Sequence, residues 1–348
     1  MQIRNKEITR DSIFIIAEIG GNHLGNFKLC QQMIKKAKQC GVDAVKLQKR
    51  DNEYMFTKTL FNLPYNNEFS YGQTYGEHRM KLDWFGETEY KELIALCKEL
   101  DLIFFSTAFD EPSADFLFKL DMPCYKIASC DARNISLIKH VASFHKPLFI
   151  SLGGCDLYDA QRISDHIDII NKDYAFLHCV STYPNQDEHL QLNYIKSLCQ
   201  EFPDKVIGFS SHHPGILPNE LAYMCGARVF EMHYTMNRAM GGTDHGFSLE
   251  THALEKFCED VRRIPAMLGN GERKVFDEEV RRGSFIHKMG KAVHVNKTLK
   301  IGHVIRKEDV CLKAPADGIP PYQLGDVIGK QLQCECSTSE ELTWDKLK

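Results

Sequence analysis

Eight short runs rich in Val, Ile, Leu and Phe recur along the first two-thirds of the chain. They are IFIIAEIG (13–20), DAVKLQ (43–48), LIFFSTAF (102–109), CYKIAS (124–129), PLFISLG (147–153), YAFLHCVS (174–181), KVIGFSSH (205–212) and RVFEMHY (228–234). Their length and their β-branched and aromatic content read as buried strands. Between them lie segments of helical period, such as FKLCQQMIKKAKQC (27–40) and ETEYKELIALCKEL (87–100). Strand alternating with helix predicts a parallel sheet. Eight such units predict a (β/α)8 TIM barrel. The open doubly wound alternative lacks its mark, since no G-x-G-x-x-G follows the first run. Helical patterning fades after PAMLGNG (265–271), a charged connector follows, and the texture turns β-rich and turn-rich near Gly290. The expected division is a barrel over 1–275, a linker over 276–289 and a small β-rich domain over 290–348. A tail of about 60 residues is near the size at which a lone core is marginal, so it is expected to dock.

The eighth run breaks the apolar rule. In VFEMHYT (229–235), Glu231 and His233 share one face, because successive strand side chains alternate. A charge inside a core is costly unless it is paired or bound to a metal. The other runs carry polar residues at the same, carboxyl end: Glu18; Lys46 and Gln48; Ser106 and Thr107; Lys126 and Ser129; Ser151; Ser181 with Tyr183; and Ser210 with His212. Catalytic groups of such barrels sit at that end. His212 and His233 lie on consecutive strands and fit an open metal site with room for water or substrate, against the plainer role of hydrogen-bonded core histidines. Glu231 is expected to orient a ligand or to contact substrate. Lys46 and Lys126 sit among apolar neighbours; a lysine there ordinarily snorkels to water, which a barrel interior lacks, so an anion or carbonyl is the expected partner. Thr107, Ser129, Ser151 and Ser210 add hydroxyl donors. His23 in GGNH and His78 in YGEH lie on loops, where site and loop structure are equally open readings.

Composition narrows the classes. Of 348 residues, 43% are hydrophobic and 26% charged, as in soluble globular proteins. A net charge of −4 gives no reason to expect nucleic acid or an anionic membrane as partner. No apolar run approaches a membrane span, and MQIRNKEITRDS lacks the apolar core of a signal peptide. The 13 cysteines, odd in number and without a C-x-x-C pair, read as reduced thiols in a cytoplasm.

AEIGGNH, AVKLQK, YKIAS, the histidines of GFSSHH and EMHYT, and GGTDHGFSLE, in this order and spacing, resemble the N-acetylneuraminate (sialic acid) synthases. The tail, KAVHVNKTLKIGHVIRKEDVCLKAPADGIPP, resembles their C-terminal antifreeze-like (β-clip) domain, so the resemblance covers almost the whole chain. It implies a condensation of phosphoenolpyruvate with N-acetylmannosamine, its 6-phosphate or a related acetamido sugar, with release of phosphate. The related legionaminic and pseudaminic acid synthases are the alternative by the same reaction. By family match His212 and His233 bind Mn2+ or Mg2+. Lys46, Lys126, Thr107, Ser129, Ser151 and Ser210 form the phosphoenolpyruvate cradle. Glu18, Gln48, Tyr183, Glu231 and Asp244 face the amino sugar, with Glu18 or Glu231 handling a proton. The resemblance also implies a domain-swapped homodimer whose tails cover the barrel mouths. Two positions depart from the family pattern: Ser181 stands where asparagine is usual, and Ala314, beside Lys313, stands where many bacterial members carry a substrate-contacting arginine.

Two rivals remain at this point. In a pyruvate-type aldolase Lys126 would form a Schiff base. A non-enzymatic carbohydrate-binding protein using the tail would leave the polar strand ends unexplained.

Overall fold

The computed structural model describes all residues, 1–348, and the chain separates into two compact units, Met1–Met267 and Leu268–Lys348. In the first unit eight parallel strands close into a barrel: β1 (Phe14–Glu18), β2 (Ala44–Lys49), β3 (Ile103–Ala108), β4 (Tyr125–Ile127), β5 (Leu148–Ser151), β6 (Tyr174–Cys179), β7 (Val206–Ser211) and β8 (Val229–His233). Each strand pairs with the next, and β8 closes onto β1. All eight expected strands are present, and the fold is the expected (β/α)8 barrel.

Helices alternate with the strands because their apolar residues recur on one stripe. In α1 (Phe27–Gln39), Cys30, Met33, Ile34 and Ala37 are buried, a spacing that covers one helical face. Asn26 caps this helix by accepting from the Leu29 amide at 3.1 Å. Seven further helices follow: α2 (Glu87–Glu99), α3 (Glu111–Lys119), α4 (Ile135–Ala142), α5 (Leu157–Ile167), α6 (Tyr194–Glu201), α7 (Leu217–Met224) and α8 (Thr251–Leu268). Their buried stripes meet the outward faces of the strands in one continuous core.

A second core fills the barrel itself. Phe14, Ile16, Ala44, Ile103, Phe105, Phe149, Leu177 and Val229 pack there. The amino-terminal hairpin, Gln2–Ile3 with Lys6–Glu7, sends Ile3 and Ile8 into the same cluster, so it plugs the end where the strands begin. Packing is tight enough to dictate sequence: a Cβ at Gly208 would lie 2.4 Å from Leu177 and 2.5 Å from the Val229 carbonyl oxygen.

The second unit holds one antiparallel pair, β9 (Ala292–Val295) with β10 (Val310–Lys313), extended by isolated bridges such as Leu299–Cys336 and Leu332–Leu347. Val293, Val295, Ile305, Ile319, Val327 and Leu342 form its own core. The segment expected as a plain linker carries two short helices, Asp277–Val280 and Phe285–Met289. All 13 cysteines are free thiols.

Candidate active site

The inward face of the barrel changes character at its carboxyl end. Register carries Glu18 beside Lys46 and His233, Gln48 beside Thr107, Thr107 beside Lys126, and Glu231 beside Ser210. These side chains floor a cavity of about 550 Å³, within the ordinary size of a small-molecule site. Glu18, Lys46, Gln48, Thr107, Lys126, Ser129, Ser151, Ser181, Tyr183, Ser210, His212, Glu231, His233 and Asp244 all line it.

Four buried charges lie at its centre. Lys46 Nζ is 2.6 Å from Glu18 Oε2 and donates to Thr107 Oγ1 at 2.8 Å. Lys126 Nζ donates to Glu231 Oε1 at 3.2 Å, the same oxygen that accepts from Ser210 Oγ at 3.1 Å and stands 3.9 Å from Lys46 Nζ. Glu231 Oε2 is buried and meets no hydrogen-bond donor. The two carboxyls differ in their surroundings. Burial raises Glu18 above the usual carboxylate range, and Lys46 only partly opposes it. Burial works on Glu231 too, but Lys126 and then Lys46 overrule it and hold that group at about 2. Burial likewise lowers Lys126, with Glu231 opposing. The two carboxyls are thus pushed in opposite directions, the separation on which acid–base roles rest.

The two histidines sit 5.3 Å apart between ring centroids, at the ends of β7 and β8. His212 Nδ1 lies 3.0 Å from the Val180 carbonyl oxygen, which only accepts, so Nδ1 carries the proton and the Nε2 lone pair is left free. His233 is buried; Nδ1 has no hydrogen-bond partner and stands 3.7 Å from Asp244 Oδ2. Burial lowers His233 to about 4, so its ring is neutral near neutral pH. No three His, Cys, Asp or Glu side chains are gathered to hold a metal by themselves. The histidine pair still fits a divalent cation: two imidazoles at adjacent strand ends, that of His233 neutral, buried and unpartnered at Nδ1, with the remaining positions left to water and substrate. The Tyr183 ring stands 4.2 Å from that of His212 at the open edge.

Hydroxyls cluster on the far wall. Ser151 Oγ is buried without a partner, and Ser129 Oγ accepts from the Gly153 amide at 3.0 Å. A Cβ at Gly153 would fall 2.2 Å from Ser181 Oγ and 2.6 Å from Ser129 Oγ, so glycine keeps open a small cradle of donors. Ser129 belongs to a 3-10 turn just after β4 rather than to the strand itself.

Some residues turn elsewhere. Ser106 faces the helices, 3.3 Å from Tyr90 Oη, because it alternates with the inward Thr107. His23 accepts from the Gly25 amide at 3.1 Å and stacks on Phe85. His78 packs against Tyr65 and Tyr71. Neither histidine reaches the cavity, and His78 lies not on a loop but in the helix Tyr75–Leu82 that Thr74 and Glu77 cap. In the tail, Lys313 Nζ is engaged with Ser339 Oγ at 2.7 Å. Cys179, read from sequence only as one of 13 reduced thiols, lines the cavity with Sγ 4.0 Å from His212 Nδ1. Continuing the period-2 series from Ala175 through Leu177 is the signal that finds it.

The chain resembles known proteins throughout this unit. The NeuB family model matches residues 33–273. The N-acetylneuraminate-9-phosphate synthase of Homo sapiens is 32% identical over 92% of this chain and 88% of its own length. The N,N'-diacetyllegionaminic acid synthase of Legionella pneumophila is also 32% identical, over 96% and 94%. Among solved structures, the N-acetylneuraminic acid (sialic acid) synthetase of Leptospira borgpetersenii in complex with citrate superposes with a TM-score of 0.69 at 28% identity, covering 80% of this chain and 93% of that one.

Proposed function

The chain belongs to the NeuB family, and on that premise we propose that it condenses phosphoenolpyruvate with N-acetylmannosamine or its 6-phosphate, giving N-acetylneuraminate or its 9-phosphate and inorganic phosphate. The observation that carries this reading is the charge network of Glu18, Lys46, Lys126 and Glu231, buried at the barrel mouth between a histidine pair and a hydroxyl cradle. Lys126 and the hydroxyls of Ser129, Ser151 and Ser181 hold the phosphate of phosphoenolpyruvate, and Lys46 with Thr107 holds its carboxylate. C3 of the enol ester attacks the aldehyde carbon. Glu18, the carboxyl that burial keeps protonated more readily, gives its proton to the aldehyde oxygen. Glu231, ionised throughout, stabilises the positive charge that develops at C2. Water adds at C2 and releases one proton, which replaces the proton spent on the aldehyde oxygen. The C2–O bond to phosphate then breaks, and the remaining hydroxyl proton leaves with the phosphate as the ketone forms.

His212 and His233, with Asp244 beside them, would hold a divalent cation such as Mn2+ or Mg2+, which supplies Lewis-acid polarisation of an aldehyde oxygen. Gln48 and Tyr183 orient the acceptor above them. The same proposal includes a cytoplasmic homodimer in which the antifreeze-like tail of one copy covers the mouth of the other and excludes water; no helix of the chain is long and apolar enough to cross a membrane.

Phosphate release from phosphoenolpyruvate, followed with a panel of aldehydes, tests the reading. The expected result is release that requires an N-acetylated hexosamine, stops in excess chelator and returns with Mn2+. Full turnover in chelator, together with borohydride trapping of pyruvate on Lys126, would favour the Schiff-base aldolase.

A further inference from the structure

Three guanidinium groups line the cavity and the reaction above uses none of them; Arg133 is mostly exposed and paired with Asp159, which leaves two that are nearly buried. Arg50 follows β2, Arg79 lies on the helix Tyr75–Leu82, and both line the cavity with side chains 10% and 12% exposed. Both close on one buried carboxylate. Arg79 grips Asp83 through Nε at 3.1 Å and Nη2 at 2.9 Å, and Arg50 Nη1 donates to it at 3.1 Å. Burial raises the Asp83 carboxyl, and Arg79 opposes that rise.

Arg50 also stacks on the Phe109 ring at 3.8 Å, but Asp83 is the one carboxylate hydrogen-bonded to either arginine. His23 is lowered to about 4 by burial and is neutral. Asp51 and Asp110 are turned onto backbone amides, those of Tyr54 and Ser113, as helix caps. Lys49, also close, adds charge of the same sign and spends its amine on the Phe85 carbonyl at 2.8 Å. Two nearly buried guanidiniums sharing one carboxylate form a planar, fixed set of donors suited to a dianion. Leaving such charges short of partners is costly without a ligand.

Their position selects which anion. The hydroxyl cradle lies on β4 to β6, whereas Arg50 follows β2, the stave that faces β6 across an eight-strand ring. Arg50 also connects to the reactive floor: its Nη2 donates to Gln48 Oε1 at 2.6 Å, and Gln48 Nε2 donates to Glu18 Oε1 at 2.8 Å. An acceptor whose aldehyde meets Glu18 and whose chain runs along Gln48 therefore ends at Arg50. Resting on the condensation reading above, we infer that Arg50 and Arg79 bind a phosphate monoester on the far end of the acceptor, so that a 6-phosphorylated N-acetylhexosamine is the preferred substrate. Overall similarity does not decide this, because a 9-phosphate synthase and a diacetyllegionaminic acid synthase are equally similar to the chain.

The test compares N-acetylmannosamine with its 6-phosphate in steady-state phosphate release, for the natural protein, Arg50→Gln and Arg79→Gln. The natural protein is expected to favour the phosphorylated sugar by at least about tenfold in kcat/KM. Each substitution should cut that preference by roughly ten- to a hundredfold, through the KM of the phosphorylated acceptor, the size of one lost charge-assisted contact. Arg79→Lys, which keeps the charge without the fork, should fall between. Arg79→Gln also removes a partner of Asp83, so calorimetry on the natural protein provides a second measurement that needs no variant. The unreactive N-acetylmannosaminitol 6-phosphate should bind at least about tenfold more tightly than the same alditol without phosphate. Equal use and equal binding of the two forms overturns the inference, as does a loss confined to kcat or to phosphoenolpyruvate affinity in the variants. A protein that releases no phosphate with any aldehyde defeats the condensation reading instead, and the calorimetric pair still judges the phosphate subsite.

Discussion

The interior of the barrel is two regions built on the same strand faces, and one step of two residues separates them. Ile16 gives way to Glu18, Ala44 to Lys46, Phe105 to Thr107, Cys124 to Lys126, Phe149 to Ser151, Leu177 to Cys179, Gly208 to Ser210 and Val229 to Glu231. The lower member of each pair faces a dry, closed space plugged by the hairpin. The upper member faces a cavity. Burial is nearly complete in both regions, since Lys46 is 2% exposed and Phe105 0%. Burial thus does not distinguish them; what differs is that only the upper layer carries charge, and it carries it in pairs. The lower layer stabilises the fold through contact and transfer from water, whereas the upper layer accepts a desolvation cost in exchange for chemistry. The lesson is that a rigid apolar layer directly beneath a charged one holds reacting groups to a narrow geometry.

The largest effect that would break this contrast lies in the lower layer. Phe149 packs with Phe14 at 5.9 Å and Phe105 at 5.6 Å between ring centroids. Phe149→Ala should cost about 3–5 kcal/mol in urea denaturation while any folded protein keeps its affinity for phosphoenolpyruvate. In the upper layer Lys126→Met should do the reverse. It keeps the stem's volume and the fold, and weakens phosphoenolpyruvate binding by about 1.5–3 kcal/mol, roughly ten- to over a hundredfold by calorimetry. Normal binding by that variant would remove Lys126 from the anion cradle.

A smaller effect is expected in acid. Glu231 is held at about 2 in the folded chain, against an ordinary value of 4.5. A depressed carboxyl stabilises the fold above its unfolded value, so this contribution fades as pH falls from about 4.5 toward about 2. Lys126→Met removes the main cause of the depression and should move the onset of acid unfolding to higher pH. Urea midpoints taken across that range in both proteins check the sign. The smallest effect belongs to the outside. Lys91 and Glu87 pair on α2 with both side chains mostly exposed, and Lys91→Ala should leave the midpoint unmoved within scatter.

The barrel was legible because strand alternation and helical period are local, and each of the eight apolar runs carries its own signal. The charged layer was legible for the same reason: Lys46, Lys126 and Glu231 stand out among apolar strand neighbours. Reading strand ends without tracking phase brought in Ser106, which the alternation turns outward onto Tyr90. Cys179 escaped because an apolar-looking thiol carries no mark of a polar surface. Arg50 and Arg79 escaped for a different reason. Arg79 meets Asp83 locally, four residues on along one helix, but only the fold brings Arg50 from the end of β2 to the same carboxylate and both to the cavity. The histidines of GGNH and YGEH gave no way to choose between loop and site. Their stacking on Phe85 and on Tyr65 and Tyr71 is tertiary and has no sequence period.

The central claim is that the charged layer joins C3 of phosphoenolpyruvate to an amino-sugar aldehyde and then breaks the C2–O bond. The fate of the bridging oxygen tests it most directly. With heavy oxygen placed between C2 and phosphorus, and an N-acetylated hexosamine as acceptor, the label should leave in inorganic phosphate while solvent oxygen enters the product at C2. Label retained at C2 of the product, or phosphate released at the same rate without the sugar, would contradict the account.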